Sequence, residues 1–160
     1  MKTNTFSTLD GRGLRIAIVR ARFNETVTSK LLAGCQRALR DAHVSARSVL
    51  TVDVPGSFEL PFMAAHLARR RSKPDAIVCL GAIIKGETEH DVHIARAASL
   101  GIGLVARQYN LPVIFGVLTT RSLRQAMART TGTHNKGYEA GMSAVELALT
   151  VRRLRTRHAL

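Results

Sequence analysis

Residues 75–93 of this chain read DAIVCLGAIIKGETEHDVH, and this stretch decides the fold. Its apolar run ends at a glycine, which predicts a buried strand, a tight glycine turn and then the first turns of a helix. Backbone N–H groups at such a helix start are unpaired, so Gly86, Glu87 and Thr88 would present donors to a phosphate or carboxylate, close to His90. The plainer alternative is a surface helix with an acidic first turn and a solvated histidine.

Strand and helix patterns alternate on both sides of this stretch. Further strands are predicted at 14–20, 48–54 and 112–118. Asn24 is predicted to cap one helix, and another helix is predicted to begin at 57–59. Thr119-Thr120 would cap a short helix. The last predicted helix has Ala144, Leu147, Val151 and Leu154 on one face. Since no hairpin signal occurs, we expect a parallel sheet with helices on both faces. The expected division is a segment 1–13, one domain 14–155 and a basic tail 156–160.

The net charge of +13 raises the question of nucleic-acid binding. The basic residues cluster at 69–73, where a helix is predicted to end, and at 152–157, without interleaved aromatic residues. Specific nucleic-acid binding is therefore not expected. No apolar run is long enough for a signal peptide or a membrane helix. Cys35 and Cys79 fit reduced core residues, which favours a cytoplasmic protein.

Residues that core packing does not explain fall beyond the carboxyl ends of the predicted strands, where parallel sheets bind ligands. Phe23 follows the first strand, Ser57, Phe58 and Glu59 follow the second, and 81–90 follows the third. Each has a structural alternative. Phe23 and Phe58 would pack onto their own helices as hydrophobic staples, and Glu59 would be a first-turn acid.

Five segments together resemble the lumazine synthase family. They are RFN at 22–24, VPGSFELP at 54–61, LGAIIKGETEH at 80–90, PVIFGVLTT at 112–120 and NKG at 135–137. The resemblance runs from about residue 14 to residue 148. It implies a flavodoxin-like, three-layer α/β sandwich with a four-stranded parallel sheet flanked by helices on both faces. It also implies a homo-oligomer, either a pentamer or an icosahedral 60-mer of stacked pentamers, with active sites between subunits and an association with riboflavin synthase.

The activity that the resemblance implies joins 5-amino-6-(D-ribitylamino)uracil to 3,4-dihydroxy-2-butanone 4-phosphate. The products are 6,7-dimethyl-8-ribityllumazine, phosphate and water, and the reaction uses no metal or organic cofactor. By motif position, His90 matches the proton-transfer residue. The positions that match the pyrimidine and ribityl site are Phe23, Ser57, Phe58, Glu59, Ala82, Ile83, Ile84 and, from the adjacent subunit, Phe115. The positions that match the phosphate site are Glu87, Thr88, Arg129 and Lys136.

These residue types suit the chemistry that the resemblance implies. Stacking on an aromatic ring orients a heterocycle, a histidine both gives and takes protons near neutral pH, and a guanidinium with helix N–H groups stabilises departing phosphate. His134 lies between Arg129 and Lys136 and is a further, weaker phosphate contact; the other histidines show no metal-ligand grouping. Two alternatives stay open. One is a relative that binds flavin or lumazine or forms shells without turnover, and the other is a monomeric anion-binding regulator.

Overall fold

The computed structural model describes residues 9–157. Its strands are β1 (Ile16–Ala21), β2 (Val49–Val54), β3 (Ala76–Ile84) and β4 (Val113–Thr120). Its α-helices are α1 (Glu25–Asp41), α2 (Leu60–Ala68), α3 (His90–Tyr109), α4 (Leu123–Ala128) and α5 (Lys136–Arg157). All neighbouring strands pair in parallel, in the order β2-β1-β3-β4. The predicted flavodoxin-like α/β sandwich is confirmed.

The sheet separates two apolar cores. Alternate residues of β1 serve opposite faces: Ile16 and Ile18 pack with α1 and α5, whereas Ala17, Val19 and Ala21 pack with α2 and α3. Strand β3 lies inside the sheet and is buried along almost its whole length. A strand covered on both faces needs a continuous apolar run, which is what 76–84 provides.

The predicted glycine turn at Gly81 is wrong, because β3 continues through Gly81 to Ile84. A Cβ atom at this position would lie 2.5 Å from Ser57 Oγ and 3.2 Å from Leu60 Cδ1. The glycine therefore allows the segment after β2 to pack closely against the sheet. It does not end the strand.

Three predicted helix starts also differ in detail. Helix α3 begins at His90, so Gly86, Glu87 and Thr88 lie in the connection before it. Ser122, and not Thr119-Thr120, caps α4, because its hydroxyl accepts the Gln125 N–H at 3.3 Å while both threonines belong to β4. Asn24 does precede α1 as predicted, but its side chain makes no capping hydrogen bond.

Helix α5 buries a different stripe from the one predicted. Ala144 is buried, but Leu147 and Leu154 are exposed, and the remaining buried positions include Val145 and Ala148. Small residues face α1 at this crossing. A Cβ at Gly137 would run into the backbone of Leu31, and one at Gly141 would lie 2.8 Å from Ala38 Cβ. The helices approach closely because these positions have no side chain.

The two ends of the described chain meet at the amino end of the sheet. Arg152 in the last turns of α5 donates to the carbonyl oxygens of Gly13 at 3.0 Å and Arg12 at 3.4 Å, just before β1. Of the predicted basic tail, 156 and 157 continue α5, while 158–160 lie outside the described residues, as does 1–8 of the predicted N-terminal segment. Within 9–157, no helix is both long and apolar enough to cross a membrane.

Candidate active site

The sequence-predicted site residues fall into two groups on the chain. The first, called here the strand-end group, comprises Phe23, Ser57–Glu59, 82–84, 87–88 and His90, which all lie at or just beyond the carboxyl ends of three adjacent strands. The second, called the edge group, comprises Phe115, Arg129 and Lys136, which line one cavity beside strand β4.

Two aromatic rings of the strand-end group face solvent. Phe23 is 71% exposed and Phe58 is 57% exposed. A staple packed against its helix would be largely covered, so the staple interpretation is wrong for both rings. The two rings follow the neighbouring strands β1 and β2, and exposed aromatic rings of this kind are suited to stacking on a flat ligand.

Glu59 has a local structural partner. Its Oε2 accepts the Gly56 N–H at 2.9 Å, which stabilises the short 3-10 turn Ser57–Glu59. Ser57 is buried against Gly81 of β3. The segment after β2 is thereby fixed to the sheet, and Phe58 between these two anchored residues points outward.

Asn24 is a residue of this group whose role the sequence did not reveal. It adopts a left-handed conformation (φ 59°), and its Nδ2 donates to the Ala82 carbonyl oxygen at 2.8 Å. The bond ties the connection after β1 to the segment 82–84 of β3. Asparagine tolerates this backbone region better than most residues, which is the only signal the sequence offers.

The connection 85–89 between β3 and α3 is open to solvent from Gly86 onward. At its start the Lys85 N–H donates to the Thr120 carbonyl oxygen at 2.8 Å, and at its end the His90 N–H lies 3.4 Å from Thr88 Oγ1. A Cβ at Gly86 would meet no atom within 4 Å. His90 is exposed at the first position of α3.

The edge group surrounds a cavity of about 420 Å³ between β4 and α5. Phe115 lies on the outermost strand of the sheet and is half-exposed. Arg129 and Lys136 supply positive charge, and the rest of the lining is Ile114, Gly116, Val117, Leu118, Thr119, Glu139, Ala140 and Ser143. The cavity combines one aromatic ring with two cations.

Hydrogen bonds hold both cations in place. The Arg129 guanidinium donates from one amino nitrogen to the Gln125 carbonyl oxygen at 2.9 Å, and Lys136 Nζ forms an ion pair with Glu139 Oε2 at 2.5 Å. The backbone also joins the two residues, because the Lys136 N–H donates to the Arg129 carbonyl oxygen at 2.8 Å. The predicted loop 130–135 brings its ends together in this way.

Asn135 organises that loop, although the sequence reading did not single it out as a site residue. It is buried, and its Nδ2 donates to the Thr130 carbonyl oxygen at 2.8 Å and to that of Lys30 at 3.3 Å. Its Oδ1 accepts the Tyr138 N–H at 3.1 Å. The loop that carries His134, which is exposed, is therefore pinned to both α1 and α5.

One ion pair lies near the carboxyl ends of β1 and β2. Arg20 on β1 faces Asp53 on β2, with Nε–Oδ1 and NH2–Oδ2 distances of 2.9 and 2.5 Å. These two hydrogen bonds raise the pKa of Arg20. Since the charge of Arg20 is matched at its own position, the unmatched positive charge for a phosphate has to come from other side chains.

The cysteines and histidines form no metal site in the described part of the chain. Cys35 and Cys79 are free and buried, as predicted, and burial raises the pKa of each thiol to about 12. Within 9–157, no three His, Cys, Asp or Glu side chains are grouped closely enough to hold a metal ion.

Comparisons with known proteins point to one family. The family model described as 6,7-dimethyl-8-ribityllumazine synthase matches residues 13–152. A protein of that name from Microcystis aeruginosa is 44% identical over 155 residues, which covers 94% of this chain and 85% of the relative.

Two further relatives carry the same name. The protein from Gloeobacter violaceus is 45% identical over 150 residues, covering 91% of this chain and 83% of the relative. The protein from Trichormus variabilis is 44% identical over 147 residues, covering 89% of this chain and 77% of the relative. This chain belongs to the 6,7-dimethyl-8-ribityllumazine synthase family, whose members are transferases of riboflavin biosynthesis.

Proposed function

We propose that this chain condenses 5-amino-6-(D-ribitylamino)uracil with 3,4-dihydroxy-2-butanone 4-phosphate to give 6,7-dimethyl-8-ribityllumazine, phosphate and water, in a site formed between neighbouring subunits of a pentamer. The observation that carries the proposal is the separation of the strand-end group from the edge group. Each group holds only part of what the condensation needs.

The register of the sheet gives the scale of this separation. Val19, Cys79 and Phe115 lie side by side on β1, β3 and β4. Phe23 is four residues beyond Val19, so its Cα lies roughly 15 Å from that of Phe115, with strand β3 between them. The strand-end group has two exposed aromatic rings and His90, whereas the edge group has Phe115 with Arg129 and Lys136. A second copy placed beside the first would bring its edge group to the strand ends of its neighbour.

In such a site, Phe23 and Phe58 would stack on the pyrimidine, and the backbone of 82–84 would pair with its polar edge. Because Asn24 holds the Ala82 carbonyl oxygen and Gly81 admits Ser57, this surface is rigid before the substrate arrives. Phe115 of the neighbouring copy would cover the ring from the other side.

The phosphate of the second substrate would bind to Arg129 of that neighbour and to the N–H groups of Glu87 and Thr88. Arg129 uses one nitrogen for Gln125 and keeps further N–H donors for an anion. Lys136 is already paired with Glu139, so its share of phosphate binding is smaller. Negative charge that builds on the leaving phosphate is stabilised by the same donors.

His90 would move the protons. The amine that attacks the ketone carbonyl loses a proton, and water leaves as the imine forms. The phosphate then departs as the adjacent C–O bond breaks. The ribityl-bearing nitrogen attacks the carbonyl carbon that results, and a second water leaves as the ring closes. Each step transfers a proton to or from a substrate atom, and an exposed imidazole at the start of α3 can serve as acid or base.

The proposal is tested by measuring lumazine absorbance after both substrates are mixed with purified protein. His90→Ala is expected to lower kcat about 100-fold, because general acid–base catalysis contributes at least that much. Arg129→Ala is expected to raise the KM for the phosphate substrate about tenfold or more. The matched controls are His93→Ala in α3, three residues after His90, and Arg124→Ala in α4, five residues before Arg129; both remove exposed side chains.

Co-expression of His90→Ala with Arg129→Ala tests where the site lies. If the two groups belong to neighbouring copies, about a quarter of the sites in randomly mixed rings contain both intact groups, and activity returns to that extent. No recovery would place both residues in one chain and would overturn the intersubunit site. Retained flavin without any rate acceleration would overturn the activity itself and favour a binding protein.

The compartment follows from the thiols as a further part of the proposal. Two buried cysteines that form no disulfide are typical of a reducing environment, which supports the cytoplasm.

A further inference from the structure

A second cavity lies at the amino end of the sheet, far from both groups of the candidate site. Its volume is about 300 Å³. It is bounded by the starts of β1 and β2 and by the segment that follows α2. The lining consists of Arg15, Ile16, Ala17, Arg47, Ser48, Val49, Leu50, Leu67, Arg70, Ser72 and Pro74. We call it the arginine cavity.

Three arginines from three separate segments of the chain, Arg15, Arg47 and Arg70, line this cavity. No acidic residue is among its lining residues, all of which belong to the described part of the chain. Arg15 donates from one amino nitrogen to Ser72 Oγ at 2.7 Å. Within residues 9–157, the side chains of Arg47 and Arg70 form no hydrogen bond or ion pair. Like charges placed around one hollow repel each other, and a bound anion removes that repulsion.

Asp75, a carboxylate next in sequence to the lining residue Pro74, is already engaged. Asp75 Oδ2 accepts the Arg15 backbone N–H at 2.8 Å and lies 3.9 Å from Arg152 NH2. Asp75 therefore fixes the backbone where β1 begins. It does not neutralise the three guanidinium groups of the cavity.

The floor of the arginine cavity is apolar. Leu50 on β2 faces the α2 side of the sheet, as its register partner Ala17 does, and is 42% exposed because α2 does not reach over the edge strand. Leu67 of α2 and Pro74 complete the floor. A cation rim above an apolar floor suits a molecule that has both an anionic group and a flat organic part.

We propose that the arginine cavity binds a phosphorylated small molecule of mononucleotide size. Arginine forks match the oxygens of a phosphate, the hydroxyls of Ser48 and Ser72 add donors, and the floor covers the organic part. The volume lies at the lower end of the range for small-molecule sites, and the lining has no aromatic ring for a stacked single strand. These features favour a small ligand over a nucleic-acid chain.

The test is calorimetric titration of the whole protein with AMP, inorganic phosphate and adenosine. AMP is expected to bind more tightly than phosphate, because only AMP reaches the floor, and adenosine is expected not to bind. The double variant Arg47→Ala/Arg70→Ala should weaken AMP at least about tenfold. Arg69→Ala/Arg71→Ala is the matched control, since it removes the same charge from exposed positions next to Arg70 that do not line the cavity.

A second comparison separates this cavity from the proposed phosphate site of the enzyme. AMP binding should survive Arg129→Ala, and Arg47→Ala/Arg70→Ala should keep lumazine formation unchanged, which also shows that the variant is folded. Loss of AMP binding in Arg129→Ala would assign it to the enzyme site and overturn the proposal. Three other results would also overturn the proposal. They are equal losses of AMP binding in the two double variants, binding of adenosine as tight as that of AMP, and no binding of AMP to the parent protein at millimolar concentration.

Discussion

The two helical layers of the molecule differ in how closely their helices pack and in how many large apolar side chains they leave exposed. On one face of the sheet, α1 and α5 cross so closely that Gly137 lies against the backbone of Leu31, and the contact is sealed by buried Asn135. On the other face, α2 and α3 leave apolar side chains uncovered: Phe62, Leu100 and Leu104 are all exposed.

This difference distinguishes apolar surface that is buried within a single chain from apolar surface that a single chain leaves exposed. In the α1–α5 layer, the apolar residues at the helix crossing are buried within one copy, whereas Leu147 and Leu154 of α5 are exposed. Leu100 and Leu104 are one turn apart on α3, so they form a stripe, and Gly101 between them packs on Pro61, next to Phe62. Exposed apolar side chains grouped in this way are typical of a surface that another protein chain covers.

The largest expected effect comes from filling the α1–α5 crossing. Gly137→Ala should destabilise the protein by about 3–5 kcal/mol, because the new methyl group displaces the backbone of α1. Denaturant unfolding at fixed protein concentration measures this. The control is Gly103→Ala in α3, where a Cβ meets no atom within 4 Å and the expected change is a gain of up to about 1 kcal/mol. Equal stabilities of the two variants would contradict the tighter packing of the first layer.

A smaller effect is expected from a charge on the open layer. Leu104→Asp should weaken each contact between copies by about 2 kcal/mol and lower the sedimenting mass, while the circular dichroism spectrum stays unchanged. Leu104 is 61% exposed, so the substitution leaves the core intact. Leu154→Asp on α5 is the matched control in the other layer and should keep the mass of the parent. An unchanged mass for Leu104→Asp would show that α3 is not covered by a neighbour.

The smallest expected effect tests how completely each of the two cores excludes water. Cys35 belongs to the core beneath α1 and α5, and Cys79 to the core beneath α2 and α3. Burial raises the pKa of both thiols from 9.0 to about 12, so the folded chain keeps their protons while the unfolded chain loses them above about pH 9. The unfolded state then binds fewer protons, and stability falls as the pH rises from about 9 to 12.

At pH 10 the loss is about 1 kcal/mol for each thiol. It is measured as the change in unfolding free energy between pH 7 and pH 10, in the parent and in Cys35→Ala and Cys79→Ala separately. Each variant should show a decrease smaller than that of the parent by this amount. If only Cys35→Ala showed a smaller decrease in unfolding free energy than the parent, water would reach the core beneath α2 and α3.

The alternation of patterns was sufficient to predict the layers of this fold, because buried parallel strands need apolar runs of the kind seen at 76–84. It misplaced features that depend on contacts distant in sequence. Gly81 was predicted as a turn since glycine often ends a strand, whereas here it makes room for Ser57. Leu147 and Leu154 fit the periodicity of a helical stripe, but α1 packs against the smaller residues of α5. A hydrophobic pattern is recognised mainly from large residues such as leucine, so the stripe of small residues was missed.

Sequence motifs alone named the candidate site residues, and both their roles and the division of the site between subunits stay predictions that the resemblance implies. Motifs mark Phe23, His90 and Arg129 wherever they lie, and the rule for parallel sheets accounts for the strand-end group. The edge group lies beside β4 instead, and nothing local to Phe115 reveals that β4 is outermost in the sheet. Asn24 and Asn135 act through side-chain bonds to Ala82 and Thr130, which only the folded chain brings near.

The contact of Arg152 with Gly13 and Arg12 has a practical consequence for building on this scaffold. Because α5 runs from the cavity beside β4 back to the start of β1, anything attached near residue 9 or residue 157 emerges at the same pole, opposite the strand-end group. A fluorophore or an affinity handle at either position stays away from the strand-end group. The same proximity makes a short peptide joining the two positions, with new ends opened elsewhere, a feasible circular permutation.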